Sequence, residues 1–322
     1  MSLRKSAAQS STPSVGRKLA KKIAIPLAFH GSRFLMHLPL TSARKLQIWE
    51  SFVGRYMSWR TNAFWIRTRF GARVFCSLGD LIQCRLIYFG IWEPNLTGFV
   101  QRRLQTGDTF VDVGANIGYY SLLASKSVGT KGRVVAIEAS PKIFMALQKN
   151  LGANKCDNVR AVNVAISDRK GVLRLFSGPS SNIGMTSTMK SRGQDFESEV
   201  PANRLDAVLL PEELKAARLI KIDVEGAEAP VLISILENID RYRQDLEIMV
   251  EINPPEVQEH GLSVADILNR FAEVGYHAYL LDNDYSPAAY VGYQPTPRPK
   301  RLRHLPTGLT DVVFSRVNAN EL

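Results

Sequence analysis

Two features that follow neighbouring apolar runs indicate a ligand that contains a ribose. A glycine-rich turn, Gly114–Gly118 (Gly-Ala-Asn-Ile-Gly), follows the apolar run Thr109–Val113 and precedes a segment with helical periodicity. Such a turn lets a ligand approach the backbone at a helix N-terminus, where unpaired N–H groups are available. Glu138 follows the next apolar run, Arg133–Ile137, and an acid at this place can accept hydrogen bonds from both ribose hydroxyls.

The residues between the two glycines indicate which kind of ribose-bearing ligand is bound. In the dinucleotide fingerprint a further glycine lets a pyrophosphate touch the backbone, whereas Ala115 and Asn116 stand in this region here. Their side chains disfavour a pyrophosphate and suit an uncharged linker between a ribose and a methionine tail. We expect this segment and the next two strand ends to hold the cofactor through Asp112, Gly114, Ala115, Asn116, Gly118, Glu138 and Ala165.

Carboxylates near the ends of the fourth and fifth predicted strands could act on a substrate. Asp223 and Glu225 come directly after the run Arg218–Ile222, and Glu251 lies near the end of the run Leu246–Ile252. Because the carboxyl ends of parallel strands meet at one edge of a sheet, we expect these side chains to face one pocket. There a carboxylate could accept a proton from a substrate hydroxyl or bind the ammonium of a cofactor, so we assign catalytic roles to all three. The alternative for Asp223 is a structural one, as a cap on the following helix.

The same oxygen atoms, together with the side chain of Asn253, could hold Mg²⁺ or Ca²⁺, because both ions prefer oxygen ligands. Hydrogen bonding to substrate and cofactor is the simpler interpretation of an oxygen-rich edge, and we assign no metal site. The five histidines are scattered, and the three cysteines form no C-x-x-C pair. We interpret the cysteines as reduced thiols of a cytoplasmic protein.

Strands and helices must alternate along the chain to bring these residues to one edge. The apolar runs predict strands at Thr109–Val113, Arg133–Ile137, Val159–Ile166, Arg218–Ile222, Leu246–Ile252, Tyr276–Leu281 and Asp311–Ser315. Helical periods predict helices at Ile117–Ser127, Pro141–Leu151, Ala227–Leu236 and Val264–Val274. The alternation indicates an α/β fold in which helices cover both faces of a mostly parallel sheet. Two regions interrupt it: residues 168–210, which include a short predicted strand Val172–Phe176, and residues 284–308, which we interpret as a loop.

Several segments of the chain resemble the FkbM-type methyltransferases: Gly90–Pro94, Asp112–Ser121, Asn182–Met185, Lys221–Glu228 and Val250–Glu251. The resemblance covers roughly residues 88–252 and is most specific in Lys221–Glu228. It implies a class I methyltransferase (Rossmann-like) sheet with a final antiparallel strand, which Asp311–Ser315 would supply. It also implies S-adenosylmethionine as the cofactor and methyl transfer to a hydroxyl, often of a sugar or a natural product.

Glu93 and the turn Asn182–Met185 have two interpretations each. Glu93 precedes Pro94 at the start of a predicted helix, where its charge would favour the helix dipole. The resemblance implies instead that Glu93 closes the cofactor pocket, and we count it among the cofactor-binding residues. The turn Asn182–Met185 lies in the insertion and could form a lid over the site or a plain loop.

The net charge of +11 belongs to the N-terminal part of the chain. Residues 1–73 contain 14 lysines and arginines and a single acid, Glu50, whereas the remainder is close to neutral. We therefore divide the chain into a basic N-terminal extension, residues 1–70, and a methyltransferase-like domain, residues 71–322. Residues 1 to about 16 lack apolar periodicity, which predicts disorder, and residues 41–70 have helix-like spacing.

This charge distribution restricts the expected partners. The basic extension could contact an anionic membrane surface or a polyanion, or remain a solvated tail. The near-neutral remainder argues against nucleic acid binding by the main domain. The segment Ile23–Leu40 contains prolines, histidines and an arginine, so it is a poor candidate for a membrane span. We expect a cytoplasmic protein with peripheral membrane contact at most.

The expected substrate is a small molecule or a glycan that carries a hydroxyl. Two other functions stay open: a dinucleotide-dependent oxidoreductase, and a non-catalytic adapter that keeps the fold and docks on membranes through its basic extension. Binding of S-adenosylmethionine or of NAD would separate the first from a methyltransferase. Substitution of Asp223 and Glu225 would distinguish the adapter from a methyltransferase, because the function of a non-catalytic adapter should not depend on these two side chains.

Overall fold

The computed structural model describes residues 27–57, 62–179, 181–188, 194–292 and 297–322. The chain divides into two compact units, Met1–Met57 and Ser58–Leu322. In the first unit, helix α1 covers residues 27–37, helix α2 covers Ser42–Ile48 and a π-helix covers Trp49–Met57. The disorder predicted for residues 1 to about 16 falls outside the described residues. No helix in the described part of the chain is long and apolar enough to cross a membrane.

The second unit begins with a β-hairpin, in which strands β1 (Ala63–Arg67) and β2 (Arg73–Ser77) pair in antiparallel register. Trp65 lies opposite Phe75 with ring centroids 5.3 Å apart, and such aromatic cross-strand pairs stabilise a hairpin. The helical spacing predicted over residues 41–70 is therefore wrong for the residues of β1. The hairpin also spans the domain boundary predicted at residue 70, and the compact units divide earlier, after Met57.

The remaining described strands follow in chain order: β3 (Thr109–Val113), β4 (Arg133–Ile137), β5 (Val159–Val162), β6 (Ala165–Ile166), β7 (Gly171–Phe176), β8 (Phe196–Asn203), β9 (Ala217–Ile222), β10 (Glu247–Ile252), β11 (His277–Leu280), β12 (Lys300–Arg301) and β13 (Thr310–Ser315). The main sheet has the order β5-β4-β3-β9-β10-β13-β11-β12. Its strands from β5 to β10 pair in parallel, and β13, β11 and β12 pair antiparallel. All five residues of β3 are buried, so both faces of the sheet are covered there. The predicted class I methyltransferase fold is confirmed, with β13 as its late antiparallel strand.

The helices of the second unit alternate with the parallel strands as expected: α3 (Leu81–Phe89), α4 (Pro94–Arg103), α5 (Tyr119–Val128), α6 (Pro141–Ala153), α7 (Leu205–Val208), α8 (Pro211–Ala216), α9 (Glu228–Leu236), α10 (Pro254–Glu259), α11 (Val264–Glu273) and α12 (Pro287–Val291). Local chemistry explains where they begin. At α6, the Ser140 hydroxyl accepts a hydrogen bond from the N–H of Ile143, and Pro141 occupies the first turn. At α11, Ser263 and Asp266 form a reciprocal capping box.

The predicted strand Val159–Ile166 is wrong as a single element, because it divides between two sheets. Its first part, β5, stays in the main sheet, whereas β6 joins β7 and β8 in a separate three-stranded sheet. The side chain of Asn163 donates to the carbonyl oxygens of Glu138 and Ala139 and holds the chain where it leaves the main sheet. Residues 284–308 are likewise not only a loop, because they contain α12 and the edge strand β12.

The hydrophobic core of the second unit is formed by the central strands and the helices on them. Val111, Ile220 and Ile248 are fully buried on three adjacent parallel strands. Phe271 of α11 stacks on Phe314 of β13, with ring centroids 3.9 Å apart. Each such side chain stabilises the fold by about 1.5–3 kcal/mol relative to an exposed one. The core therefore fixes the relative positions of the strand ends that form the site.

Candidate active site

Strands β3, β4, β9 and β10 end at one edge of the main sheet, and two cavities lie there. The larger cavity is beside the ends of β3, β4 and β9. It is lined by six of the residues predicted to form the site, namely Gly114, Asn116, Glu138, Ala165, Asp223 and Glu225. Its remaining walls are mainly apolar and include Ile137, Ile143, Val164 and Leu175.

The glycine-rich loop after β3 packs directly on the loop after β9. Gly114 adopts φ +80°, and a Cβ atom built on it would lie 1.7 Å from the carbonyl oxygen of Asp223. A side chain at this position is excluded both by the backbone conformation and by the neighbouring loop. Gly114 therefore allows the ends of β3 and β9 to meet.

The amide groups of the glycine-rich loop all donate hydrogen bonds within the protein. The N–H groups of Gly114 and Ala115 both donate to the carbonyl oxygen of Ile137, and that of Gly118 donates to the carbonyl oxygen of Ala115. The N–H of Asn116 donates to the Glu138 carboxylate, and the next N–H along the chain donates to Oδ1 of Asn116. A pyrophosphate needs such amides as donors, so this loop does not offer it the usual cradle.

Glu138 combines burial with unused acceptor capacity. Its Oε2 accepts the N–H of Asn116 and its Oε1 accepts the N–H of Ser140, each at 2.9 Å. Burial raises the pKa of Glu138 to about 7, against the lowering effect of these two hydrogen bonds. Each carboxylate oxygen can accept more than one hydrogen bond, so both oxygens can still accept from hydroxyl groups in the larger cavity.

The turn from the insertion contacts the glycine-rich loop. Residues Ile183–Met185 form a short 3₁₀ turn, and Gly184 lines the larger cavity. A Cβ atom on Gly184 would lie 2.8 Å from Nδ2 of Asn116. The N–H of Ile183 donates to Asp80, the N-cap residue of α3. The turn is thus held over the larger cavity, as expected of the lid interpretation.

A smaller cavity lies beside the larger one and is rich in charged groups. Its charged lining consists of Glu93, Lys221, Asp223, Glu251 and Asp311. Asp223 lines both cavities. The three residues with predicted catalytic roles are therefore divided between the cavities. Glu225 lines the larger cavity, Glu251 lines the smaller one, and Asp223 lies between them.

Glu93 points into the smaller cavity and does not cap its own helix. It is buried at the N-cap position of α4 with φ +39°, and its side chain makes no hydrogen bond to the helix backbone. Oε2 accepts the hydroxyl of Tyr120 at 2.7 Å, and Oε1 accepts the hydroxyl of Tyr285 at 3.0 Å and Nδ2 of Asn283 at 3.3 Å. Burial and the charge of Asp223 raise the pKa of Glu93.

Glu251 and Asp311 face each other across the antiparallel pair β10 and β13. Burial and the charge of Asp223 raise the pKa of Glu251 to about 10. Burial, followed by the charge of Glu93, raises the pKa of Asp311 above its ordinary value, although Asn283 donates to its Oδ2 at 2.9 Å. Glu251 therefore holds a proton at neutral pH.

Lys221 is a buried cation that sequence reasoning did not assign to the site. Its Nζ lies 2.9 Å from Oδ2 of Asp223, 4.0 Å from Oδ1 of Asp112 and 5.1 Å from the ring centroid of Tyr120. Burial alone would lower the pKa of Lys221, but the charges of Asp223, Asp112 and Glu93 raise it, so the side chain stays an ammonium. A lysine between two isoleucines that are buried in a central strand was the signal that could have identified it.

Three residues predicted to bind the cofactor line neither cavity, namely Asp112, Ala115 and Gly118. Asp112 is fully buried, where it accepts the hydroxyl of Ser121 at 2.5 Å and lies near Lys221. Gly118 adopts φ +92° at the start of α5, and a Cβ on it would lie 2.6 Å from Cδ1 of Leu147. These residues therefore contribute to the conformation of the glycine-rich loop and to its packing on the neighbouring elements.

The loop after β9 is held by Glu228, which sequence reasoning also missed. Its carboxylate accepts the N–H groups of Val224 and Gly226, each at 2.9 Å. Between them, Glu225 adopts φ +55°. Burial and the charge of Asp223 raise the pKa of Glu225 to about 9. The loop thus presents Glu225 to the larger cavity in a fixed, strained conformation.

Within the described residues, no group of three or more histidine, cysteine, aspartate or glutamate side chains is arranged to hold a metal ion. Cys76, Cys84 and Cys156 all lie in this part of the chain and form no disulfide. Burial raises the pKa of Cys84 to about 12. These thiols are therefore protonated at neutral pH, and we assign them no chemical role.

Comparison with solved structures gives matches to several methyltransferases. An S-adenosylmethionine-dependent O-methyltransferase of Thermotoga maritima matches with a TM-score of 0.40 and 14% identity, over 82% of this chain and 80% of that one. The TYW2 protein of M. jannaschii, solved in complex with AdoMet, matches with a TM-score of 0.41 and 14% identity, over 80% of this chain and 88% of that one.

Comparison with curated proteins and protein families gives closer matches in sequence. Methyltransferase sdnD of Sordaria araneosa is 29% identical over 187 residues, which are 48% of this chain and 70% of that protein. Methyltransferase 1 of Beauveria bassiana is 29% identical over 167 residues, which are 45% of this chain and 65% of that protein. The family model of the methyltransferase FkbM domain matches residues 112–278, more than half of the chain. The chain therefore belongs to the FkbM methyltransferase family, whose cofactor is S-adenosylmethionine, as the sequence motifs predict.

Proposed function

We propose that this chain transfers a methyl group from S-adenosylmethionine to a hydroxyl group of a small molecule or glycan, such as a sugar, a glycolipid or a natural product. One observation carries the proposal. Asp223 lies between a cavity suited to a ribose-bearing cofactor and a cavity lined by acids. Methyl transfer requires a cofactor site and an acceptor site that meet at one point, and this edge provides both.

The larger cavity fits the cofactor in three respects. Glu138 keeps acceptor capacity for ribose hydroxyls, and the apolar side chains Ile137, Ile143 and Leu175 offer a surface for a flat purine base. Asp223 supplies negative charge for the cationic methionine part, and Glu225 supplies oxygen atoms that can accept hydrogen bonds from it. When bound, S-adenosylmethionine supplies a methyl group that its sulfonium has already activated. The protein's own task is to orient the acceptor and to exclude water, and orientation alone can contribute roughly 7–11 kcal/mol.

The smaller cavity fits an acceptor hydroxyl. Glu93, Glu251 and Asp311 are hydrogen-bond partners for hydroxyl groups, and Tyr285 and Asn283 already occupy several of their oxygen atoms. A carboxyl group with a raised pKa is a stronger base once ionised than an ordinary carboxylate. General base catalysis contributes roughly 10²–10⁴-fold in rate. Asp223 would accept the proton that the acceptor hydroxyl loses at neutral pH, and Glu251, whose pKa is about 10, would do so once it is ionised at higher pH.

The cofactor half of the proposal is tested by calorimetry with S-adenosylmethionine, S-adenosylhomocysteine and NAD. We expect the first two to bind and NAD not to bind. Glu138→Ala should weaken binding by roughly tenfold to a hundredfold, because hydrogen bonds to a charged group contribute about 1.5–3 kcal/mol. The matched control is Glu212→Ala, an acid with a side chain that is 63% exposed, which should leave binding unchanged. Binding of NAD alone would point to an oxidoreductase.

The acceptor half is tested by incubating the protein and methyl-labelled cofactor with a cell extract. The labelled product should carry its methyl group on oxygen, as fragmentation in mass spectrometry would reveal. Glu251→Gln and Asp223→Asn should abolish labelling while cofactor binding persists in Glu251→Gln. A label on nitrogen or carbon would contradict O-methylation. Labelling that survives both substitutions would contradict the assigned acid–base roles.

A further inference from the structure

Helix α1 exposes an apolar face. Leu27 is 69% exposed, Phe34 is 65% exposed and Leu35 is 40% exposed. Their spacing of seven and eight residues places all three on one side of the helix. The opposite side of the same helix is buried through Phe29 and Met36. The helix is thus apolar on two opposite sides, and one of them is open to solvent.

The sequence around this exposed face is strongly basic. The ten residues before Leu27 in the sequence include Arg17, Lys18, Lys21 and Lys22. Residues 1–73 contain 14 lysines and arginines against the single acid Glu50, and the rest of the chain is close to neutral. The positive charge is therefore local to the segment that contains the exposed apolar face.

Exposed apolar side chains next to lysines and arginines favour one kind of partner. A bilayer with anionic headgroups accepts apolar side chains at the acyl boundary and attracts basic residues at its surface. A nucleic acid would use the basic residues but would gain little from aliphatic side chains such as Leu27 and Leu35. We propose that helix α1 docks this chain on the surface of an anionic lipid membrane, with Leu27, Phe34 and Leu35 inserted into it.

Helix α1 can contact a membrane through one of its sides only. Phe29 and Met36 are buried on the opposite side, so the helix lies along the surface of the membrane. Its exposed face enters the boundary between headgroups and acyl chains.

The proposal is tested with the full-length chain by co-sedimentation with vesicles. Vesicles that contain phosphatidylserine and phosphatidylcholine are compared with vesicles of phosphatidylcholine alone. The chain should bind the anionic vesicles, and its partition should fall as the salt concentration rises. The double variant Phe34→Ser, Leu35→Ser should bind at least about tenfold more weakly, because each buried apolar side chain contributes on that order. Lys21→Glu with Lys22→Glu should also weaken binding.

A matched control exists in the second unit. Val172 on β7 is an apolar residue that is 65% exposed, and Val172→Ser should leave vesicle binding unchanged. All variants should still bind S-adenosylhomocysteine, which verifies that they are folded. Absence of vesicle binding at low salt would overturn the proposal. So would vesicle binding to which Phe34 and Leu35 contribute nothing, or tight binding of poly(U) RNA that displaces the vesicles and is equal in wild type and double variant.

Discussion

The phenolic oxygen of Tyr285 lies 3.0 Å from Oε1 of Glu251. The same phenolic oxygen lies 3.0 Å from Oε1 of Glu93. A phenol has one proton to donate, so only one of these contacts can use it, and the other requires a proton on the carboxyl group. Burial and the charge of Asp223 raise the pKa of Glu251 to about 10, which makes Glu251 the group that carries this proton. Glu93 and Glu251 together therefore hold one proton at neutral pH, whereas two ordinary carboxylates would hold none.

Removal of this phenol should cost stability. Tyr285→Phe keeps the ring but leaves two buried carboxyl groups without their shared hydrogen-bond partner, and hydrogen bonds to charged groups contribute about 1.5–3 kcal/mol. We expect the free energy of unfolding, measured by urea denaturation, to fall by about 1–3 kcal/mol. The matched control is Tyr290→Phe, whose hydroxyl accepts a long hydrogen bond of 3.4 Å from the N–H of Glu93. An equal loss in both variants would contradict a special role for Tyr285.

The free energy of unfolding should fall as the pH rises, because the pKa values of buried carboxyl groups are raised in the folded protein. The pKa of Glu251 is about 10 in the folded protein against 4.5 as its ordinary value, so the folded state binds this proton more tightly. The stability that this group contributes is complete below pH 4.5 and is lost as the pH rises toward 10. Urea denaturation of the ligand-free protein from pH 6 to pH 9, at roughly one-unit steps, should reveal a decline. In Glu251→Gln the free energy of unfolding should depend less on pH. An unchanged dependence would refute the raised pKa of Glu251.

Gly114 and Gly152 should respond in opposite directions to alanine. Gly114→Ala places a Cβ 1.7 Å from a backbone oxygen and strains φ +80°, so we expect a loss of about 2–4 kcal/mol in unfolding free energy together with loss of cofactor binding. Gly152 lies within helix α6, where a Cβ meets no atom within 4 Å. Gly152→Ala should raise stability by about 0.5–1 kcal/mol. Thermal and urea unfolding measure both, and a tolerated Gly114→Ala would refute the close approach of the two loops.

Lys221 should be essential for the stability of the fold, because its ammonium group neutralises the buried carboxylate of Asp112. Asp112 is completely buried, and within the described residues its Oδ1 accepts no hydrogen bond, with the Lys221 ammonium 4.0 Å away. Lys221→Met would leave an uncompensated buried charge, which costs about 3–5 kcal/mol. The double variant Lys221→Met, Asp112→Asn should recover part of this loss. Independent, additive losses in a double-mutant cycle would contradict the coupling.

The sequence predicts those site residues that follow a strand directly. Gly114, Glu138 and Asp223 could be found because each comes just after an apolar run, and the carboxyl ends of parallel strands meet at one edge. Glu251 was found in the same way. The fold itself followed from the alternation of apolar runs and helical periods, which is a local property of the chain.

The residues that were missed depend on contacts between distant parts of the chain. Tyr285 and Asn283 reach the acids only because β11 pairs with β13, and β13 with β10. Asp311 was predicted within a strand, but its position opposite Glu251 depends on an antiparallel register that no local pattern fixes. The division of the predicted strand Val159–Ile166 depends on Asn163, whose side chain bonds to the preceding loop.

The hydrogen bonds within the glycine-rich loop restrict how its specificity could be altered. Exchanging Asn116 for glycine would remove a side chain from the region where the dinucleotide fingerprint has a glycine, yet the amides of Gly114 and Ala115 would still donate to the carbonyl oxygen of Ile137. A redesign toward nicotinamide dinucleotides would therefore have to rebuild the end of β4 as well as the loop. A single substitution in the loop is therefore not expected to change the specificity from S-adenosylmethionine to a nicotinamide dinucleotide.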